Sequence, residues 1–400
     1  MMFALLAALL VQPAALPLHV TGDPAVRIEW RQDFASPGDD WVNDLVALPD
    51  GHILAVGFLD RGDGRDWRGF SAFLGADGRL AARHDYGAGG GIDSFWSATA
   101  QPNGGIVYAG FTSRLGGSGI DGWAVFADAA GRVTGERAFG GAGYDRFTDL
   151  AVAGDETLLI GHSQRPGDDR RRLFAVRLRA DGTTRWERII EGPETIAPLY
   201  AEPAPGGGFI IAGGIGDDLL VMKLDEEGRE VWRRRIGEAG TNDTNHGLAL
   251  LPNGRILVVG YSQSWGAQGN DIVAVTLSAD GEVLHRAMFG GPGDDRPSLV
   301  KADAAGRAWI IGQTTSAGAG RQDALLLRVD ARGRFEPGAV LIGTTAEERG
   351  TALLPLGDGS VIVAGFSTAP GAGGEDAFVA RLSAPTFAEP AAGFSRRDLP

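Results

Sequence analysis

Carboxylates are the side chains of this 400-residue chain whose spacing could do chemistry, because they recur at a fixed distance from a glycine. Asp40, Asp93, Asp243, Asp295 and Glu348 each stand 17 residues before the glycine that closes an apolar run, and Asp145 stands 16 before its own. Ile196 breaks the series. Six acids at equivalent positions would ring one mouth of a central channel. Focused negative potential there could hold a cation or a polycationic ligand. The same placement suits an Asp that caps a turn, and a binding site rarely needs so many copies. Capping is therefore expected to dominate. Arg146, Arg296 and Arg349 directly follow three of the acids and are expected to neutralise them. Asp121, Asp271, Asp323 and Asp376 form a second recurring set, entering a later strand, with turn capping again preferred to ligation.

Other residues offer less. His246 opens a strand near Asn242 and Asp243 and could face the channel, as could the non-repeating Tyr200, Glu202 and Lys301. Trp41, Trp67, Tyr144 and Trp265 could stack on sugar rings from the loops, or pack between neighbouring sheets. Asp60, Asp63 and Asp66 are spaced loosely like a calcium loop, but the alternate oxygen ligands and the distal Glu are missing. No HExxH, no nucleophile elbow and no glycine-rich turn leading into a helix occurs. The chain has no cysteine, which excludes disulfides, thiolate metal sites and cysteine nucleophiles. No catalytic residue and no cofactor is expected; the metal is left open, with calcium as the candidate.

The elements that must position these residues come from a repeat. Apolar runs close on Gly57, Gly110, Gly161, Gly213, Gly260, Gly312 and Gly365, between 47 and 53 residues apart. Each unit reads as four short strands punctuated by Asn-Gly and Asp-Gly turns, which are hairpin signals. Such a unit cannot bury a core alone, so neighbours must stack. The last unit stops after its third strand, Ala377 to Leu382, while an orphan strand, Ile28 to Phe34, precedes the first. Joining them would leave no exposed sheet edge. The expected fold is all-β: a seven-bladed β-propeller of four-stranded antiparallel blades, closed by the N-terminal strand joining the last blade. The expected blades are 35–87, 88–140, 141–192, 193–237, 238–290, 291–343 and 344–384 plus 26–34, so the propeller covers 26–384 and a loosely packed tail 385–400 follows.

Gly290-Gly291-Pro292-Gly293-Asp294-Asp295, Gly365-Phe366-Ser367 and Asp376 to Leu382 resemble the bacterial seven-bladed β-propeller repeat called SBBP. The resemblance covers about residues 26 to 384. It implies the blade architecture and an exported or surface setting, and carries no catalytic residue with it.

A formal charge of −14 argues against nucleic acid, whose phosphates need clustered Lys and Arg. Residues 3–11 form a short apolar run that fits a secretory leader, expected over 1–20, and no other run could cross a bilayer. A periplasmic or secreted monomer follows. Strand alternation puts the long second-to-third loops and the blade-to-blade connections on one face, where function usually rides. The fourth unit shortens its loop to residues 214–218, which is expected to leave a notch for a ligand groove. The leading functional expectation is a binding or scaffolding module for a protein or glycan, through that face. An extracytoplasmic lyase or hydrolase with its site in the channel stands second, and a structural, calcium-stabilised surface module third.

Overall fold

The structure, a computed structural model, describes residues 18–399 other than 63, 88–89, 116–118, 239 and 370–372. Most of the expected leader, and Asp63, lie outside the described residues. Regular structure among the described residues is β-strand throughout.

The unit of residues 243–290 shows how the sequence builds a sheet. Asp243–Leu250, Ile256–Ser262, Asp271–Leu277 and Val283–Gly290 pair antiparallel in that order. The turn at Pro252-Asn253-Gly254 needs a left-handed residue, and Gly254 supplies it at φ 78°. The same four-stranded order recurs over 40–86, 93–139, 143–190, 196–236 and 295–343. Residues 348–382 supply three strands, and the fourth is Ile28–Phe34, with Trp30 opposite Arg381 and Phe34 opposite Ala377. The orphan strand thus pairs where the sequence required it. The architecture is that of a β-propeller.

The core lies between sheets. Phe34, Phe70, Ala72 and Ala55 pack against Ile362, Ala364 and Val379 across one such boundary. Each large apolar side chain so buried contributes about 2 kcal/mol. First strands stand side by side: Asp40–Ala47 neighbours Asp93–Ala100 on one flank and Glu348–Pro355 on the other.

Two ends differ from expectation. The tail is anchored: Ser395–Leu399 adds a fifth strand to Val283–Gly290, and Phe387, 1 % exposed, packs on Trp309 at 5.6 Å. Its aromatic side chains have apolar surface to bury, which the Pro- and Ala-rich composition concealed. At the other end His19–Thr21 pairs with Val340–Gly343, so the expected leader boundary at residue 20 falls inside a strand.

The marker glycines have a steric cause. A Cβ on Gly57 would stand 1.8 Å from the Trp41 carbonyl oxygen, and one on Gly365 would stand 2.1 Å from that of Arg349. The close approach accompanies a β-bulge. Register slips between Val42 and Asp44, Phe95 and Ser97, Phe147 and Asp149, and likewise in the other first strands. Bulges re-aim side chains. Here they aim them into one shared cavity.

Candidate functional site

The bulged residues Asn43, Trp96, Thr148, Leu199, His246, Ser298 and Thr351 all line one cavity of about 580 Å³ between the first strands. Its wall has two ends. Trp41 and Arg349 sit one residue and Arg146 three residues into their strands, at the end where blade-to-blade connections arrive. Asp44, Asp149, Tyr200, Glu202 and Lys301 sit four to six residues into theirs.

At the outer end the arginines lie on aromatic rings. Arg349 stands 5.6 Å from the Trp41 ring centroid and Arg146 stands 4.8 Å from that of Trp96. Neither forms an ion pair within the described residues, and Arg146 Nε is buried without a hydrogen-bond partner. Burial lowers both guanidinium pKa values, and an arginine in a protein keeps its charge. Arg296 rests 4.9 Å from the Tyr261 ring and pairs with Asp294 at 2.9 Å, not with Asp295. The expected neutralisation of the neighbouring acids therefore does not occur. Consecutive strand residues point to opposite faces, so an Arg that follows an Asp faces away from it.

The inner end is acidic. Lys301 Nζ pairs with Asp44 Oδ1 at 2.9 Å and donates to the Leu45 carbonyl at 2.8 Å. Asp149 accepts from the Ala201 amide at 2.9 Å. Burial, then the Asp44 charge, pushes the Asp149 carboxyl up to about 7. Burial, then the Asp149 charge, raises Glu202 to about 7, with Lys301 opposing. Burial also lowers His246 to about 3, so the imidazole is neutral at pH 7 and a weak base. Tyr200 donates to the Ser298 carbonyl at 2.6 Å, and Arg349 Nε reaches Ser298 Oγ at 3.4 Å.

The raised carboxyls set a pH dependence. Folded Asp149 and Glu202 keep protons that the unfolded chain releases near pH 4, so stability falls as pH rises from about 4 to about 7 and then levels. Asp40, also raised to about 7 by burial, acts in the same direction. Urea denaturation of the double variant Asp149→Asn, Glu202→Gln between pH 5 and 8 should therefore show a flatter profile than the parent. A profile as steep as the parent's would place the titration elsewhere.

The other sequence candidates separate. The six recurring acids are buried in turns between sheets, outside the cavity. Glu348 accepts from the Thr344 amide at 2.8 Å, Thr344 Oγ1 at 2.7 Å and Ser367 Oγ at 2.6 Å. Asp295 accepts from the Gly291 amide, Thr314 and Ser316, and Asp40 from Ser36. Asp243 is bonded to Ser262 and Ser264, Asp93 to Arg114, and Asp145 to the Gly141 amide. Trp67 joins Trp41 through a stack: Trp67 on Phe58 at 4.5 Å, Phe58 near Trp41 at 5.9 Å, and Trp41 on Phe366 at 4.9 Å. Tyr144 stacks on His162 at 5.7 Å, behind Arg146. His246 stacks on Tyr261 at 5.3 Å. Trp265 stands apart, against Arg286 and the core of residues 204–288. At the shortened hairpin Arg235 pairs with both Glu194 and Asp218. Asp66 pairs with Arg68, and Asp60 caps the amides of Gly62 and Gly64. Sequence reading missed Arg146, Arg349 and Trp96 as cavity residues. Their signal was the position of each relative to the marker glycine of its own unit.

No family model and no curated sequence matches the chain. Solved structures do. The hydrazine synthase of Kuenenia stuttgartiensis is similar at 13 % identity and TM-score 0.57, covering 82 % of this chain and 93 % of that one. The polysaccharide lyase Uly1 is similar at 12 % identity and TM-score 0.53, over 87 % of this chain and 90 % of its own. Sqt1 from Chaetomium thermophilum is similar at 13 % identity and TM-score 0.51, over 94 % of this chain and 90 % of that one. These likenesses show a propeller-like fold.

Proposed function

We propose that the chain is a seven-bladed propeller of the SBBP type, closed through Ile28–Phe34 and exported, and that it binds a carboxylate-bearing glycan in its channel. The run of first strands, each beside the next and the last beside the first, supports the closed count. The leader-like segment 3–11 supports export. One observation carries the ligand reading: Arg146 and Arg349 enter a polar cavity over tryptophan rings with no ion-pair contact among the described residues, Arg349 feeling the Glu375 charge without touching it. A guanidinium kept from water without a counter-charge is costly, and an incoming carboxylate offsets that cost with charge-assisted hydrogen bonds. Trp41 and Trp96 line the same cavity and give it aromatic surface beside the arginines.

Calorimetric titration with an oligouronate and with a neutral oligosaccharide of equal length tests this. The oligouronate should bind, and Arg349→Gln should weaken it about tenfold or more, with Arg349→Lys intermediate. Equal binding of the neutral sugar, or an Arg349→Gln variant with parental affinity, would overturn it.

A second reading is an extracytoplasmic lyase using the same cavity. It is favoured by the meeting of Arg349 and Tyr200 at Ser298, beside His246. An arginine that neutralises a carboxylate, with a proton acceptor alongside, is what β-elimination requires. The low basicity of His246 and the raised pKa of Tyr200 count against either as an efficient base, which is why binding stands first. Release of unsaturated fragments from the oligouronate would reverse that order. A fold neighbour is itself named as a polysaccharide lyase.

A further inference from the structure

Between successive sheets, a residue at the start of each first strand, or within two residues of it, meets its counterpart at the start of the third strand of the sheet before it. Five of these meetings join two acids. Three are Asp376 with Asp40, Asp121 with Asp145, and Asp271 with Asp295. The other two are Asp218 with Asp243, and Asp323 with Glu348. The two exceptions are instructive. Where the third strand opens on Arg172, the acid is replaced by Ile196; where it opens on Trp67, Asp93 is met by Arg114 at 2.5 Å. Two of the acid pairs also receive a guanidinium: Arg235 sits on Asp218, and Arg397 lies 3.6 Å from Asp271. The chain thus places positive charge at this spot three times, twice from within the repeat (Arg114, Arg235) and once from the tail (Arg397).

The Asp121–Asp145 pair has no such neighbour among the described residues. Asp121 is 1 % and Asp145 is 2 % exposed. Asp121 Oδ2 and Asp145 Oδ1 are buried without hydrogen-bond partners, while Asp145 Oδ2 accepts from the Gly141 amide at 2.9 Å. By contrast, Glu348 is fully bonded and Asp323 accepts from the Gly320 amide. An unpartnered carboxylate this deeply buried is costly, and a second one beside it more so.

We propose that Asp121 and Asp145 hold a calcium ion, which does at this boundary what Arg114, Arg235 and Arg397 do at others. The donor set is anionic oxygen only, which selects a hard cation, and calcium tolerates irregular coordination better than magnesium. The site lies between two sheets, outside the channel, so it stands independently of the ligand reading above. Its role is to fasten neighbouring sheets.

The test uses the full chain, stripped with chelator and titrated with calcium chloride. Calorimetry should show binding with Kd near or below about 1 mM, with a rise in the thermal midpoint of a few degrees. Asp121→Asn and Asp145→Asn keep the side-chain shape, and each should weaken calcium at least about tenfold. Asp271→Asn, at a boundary already served by Arg397, should keep the parental response. Absence of heat and of midpoint shift in the parent overturns the proposal. So does a calcium response that survives Asp121→Asn, or a calcium-independent rise in midpoint in that variant, which would mean that the pair shares a proton. If the variants fold poorly, terbium luminescence on the parent decides: an emission that calcium does not displace also overturns it.

Discussion

Deleting residues 26–34 should abolish the cooperative unfolding of this protein and turn it towards aggregation. The segment gives Ala377–Leu382 its outer hydrogen-bonding partner, from Trp30 opposite Arg381 to Phe34 opposite Ala377. Phe34 is 3 % exposed and meets Phe70 at 5.4 Å, so it fastens the last sheet to the first. Trp30 donates from Nε1 to the Ala76 carbonyl at 3.1 Å, in the following sheet, and covers Gly78. Losing two aromatic anchors costs on the order of 5 kcal/mol. Losing the strand also exposes a row of unpaired backbone donors and acceptors, a template for edge-to-edge association. Urea denaturation and light scattering would measure both effects. A deleted chain with the parent's midpoint, slope and monodispersity would contradict closure through this strand.

That pairing was legible in the sequence because it needed only a count: a unit one strand short and a strand without a unit. The turn positions were legible for the same kind of reason, since Asp-Gly and Asn-Gly state their own geometry. The site was legible only in part. His246, Tyr200, Glu202 and Lys301 were found as departures from the repeat, and all four line the cavity. Arg146 and Arg349 were misread, because adjacency along the chain was taken for adjacency in space. On a strand the acid and the arginine after it occupy opposite faces, one towards the buried turn and one towards the channel. The bulge that turns Trp96 and Ser298 into the cavity leaves a single trace, the obligatory glycine on the next strand. That glycine was read as a period marker before its steric role was visible. The anchored tail was hidden for a different reason: a strand of Ser395 to Leu399, with two arginines and an aspartate, has no apolar alternation to announce it.

Asp243→Ala should cost about 3 kcal/mol of stability while leaving ligand affinity intact, and this result separates the two roles that the recurring acids could play. Asp243 is 1 % exposed and receives Ser262 Oγ, Ser264 Oγ at 2.7 Å, Thr241 Oγ1 at 3.2 Å and the Glu238 amide at 3.3 Å. Hydrogen bonds to a charged acceptor are worth more than neutral ones, and removing the acceptor strands buried hydroxyls that cannot reach water. Thr241 and Ser264 still bond each other at 2.6 Å, which limits the loss. Its paired acid, Asp218, keeps Arg235, so no relief of repulsion offsets the damage. Arg349→Gln should show the opposite pattern, because its guanidinium is in no ion-pair contact and loses only a long hydrogen bond to Ser298, the Trp41 face and the Glu375 field: affinity falls while the unfolding midpoint changes little. Chemical denaturation and calorimetric titration of the two variants side by side measure both quantities. Weakened ligand binding in Asp243→Ala at temperatures where it stays folded would restore the acid ring as a recognition element. Intact binding with a lowered midpoint assigns the ring to the turns and leaves recognition to the channel.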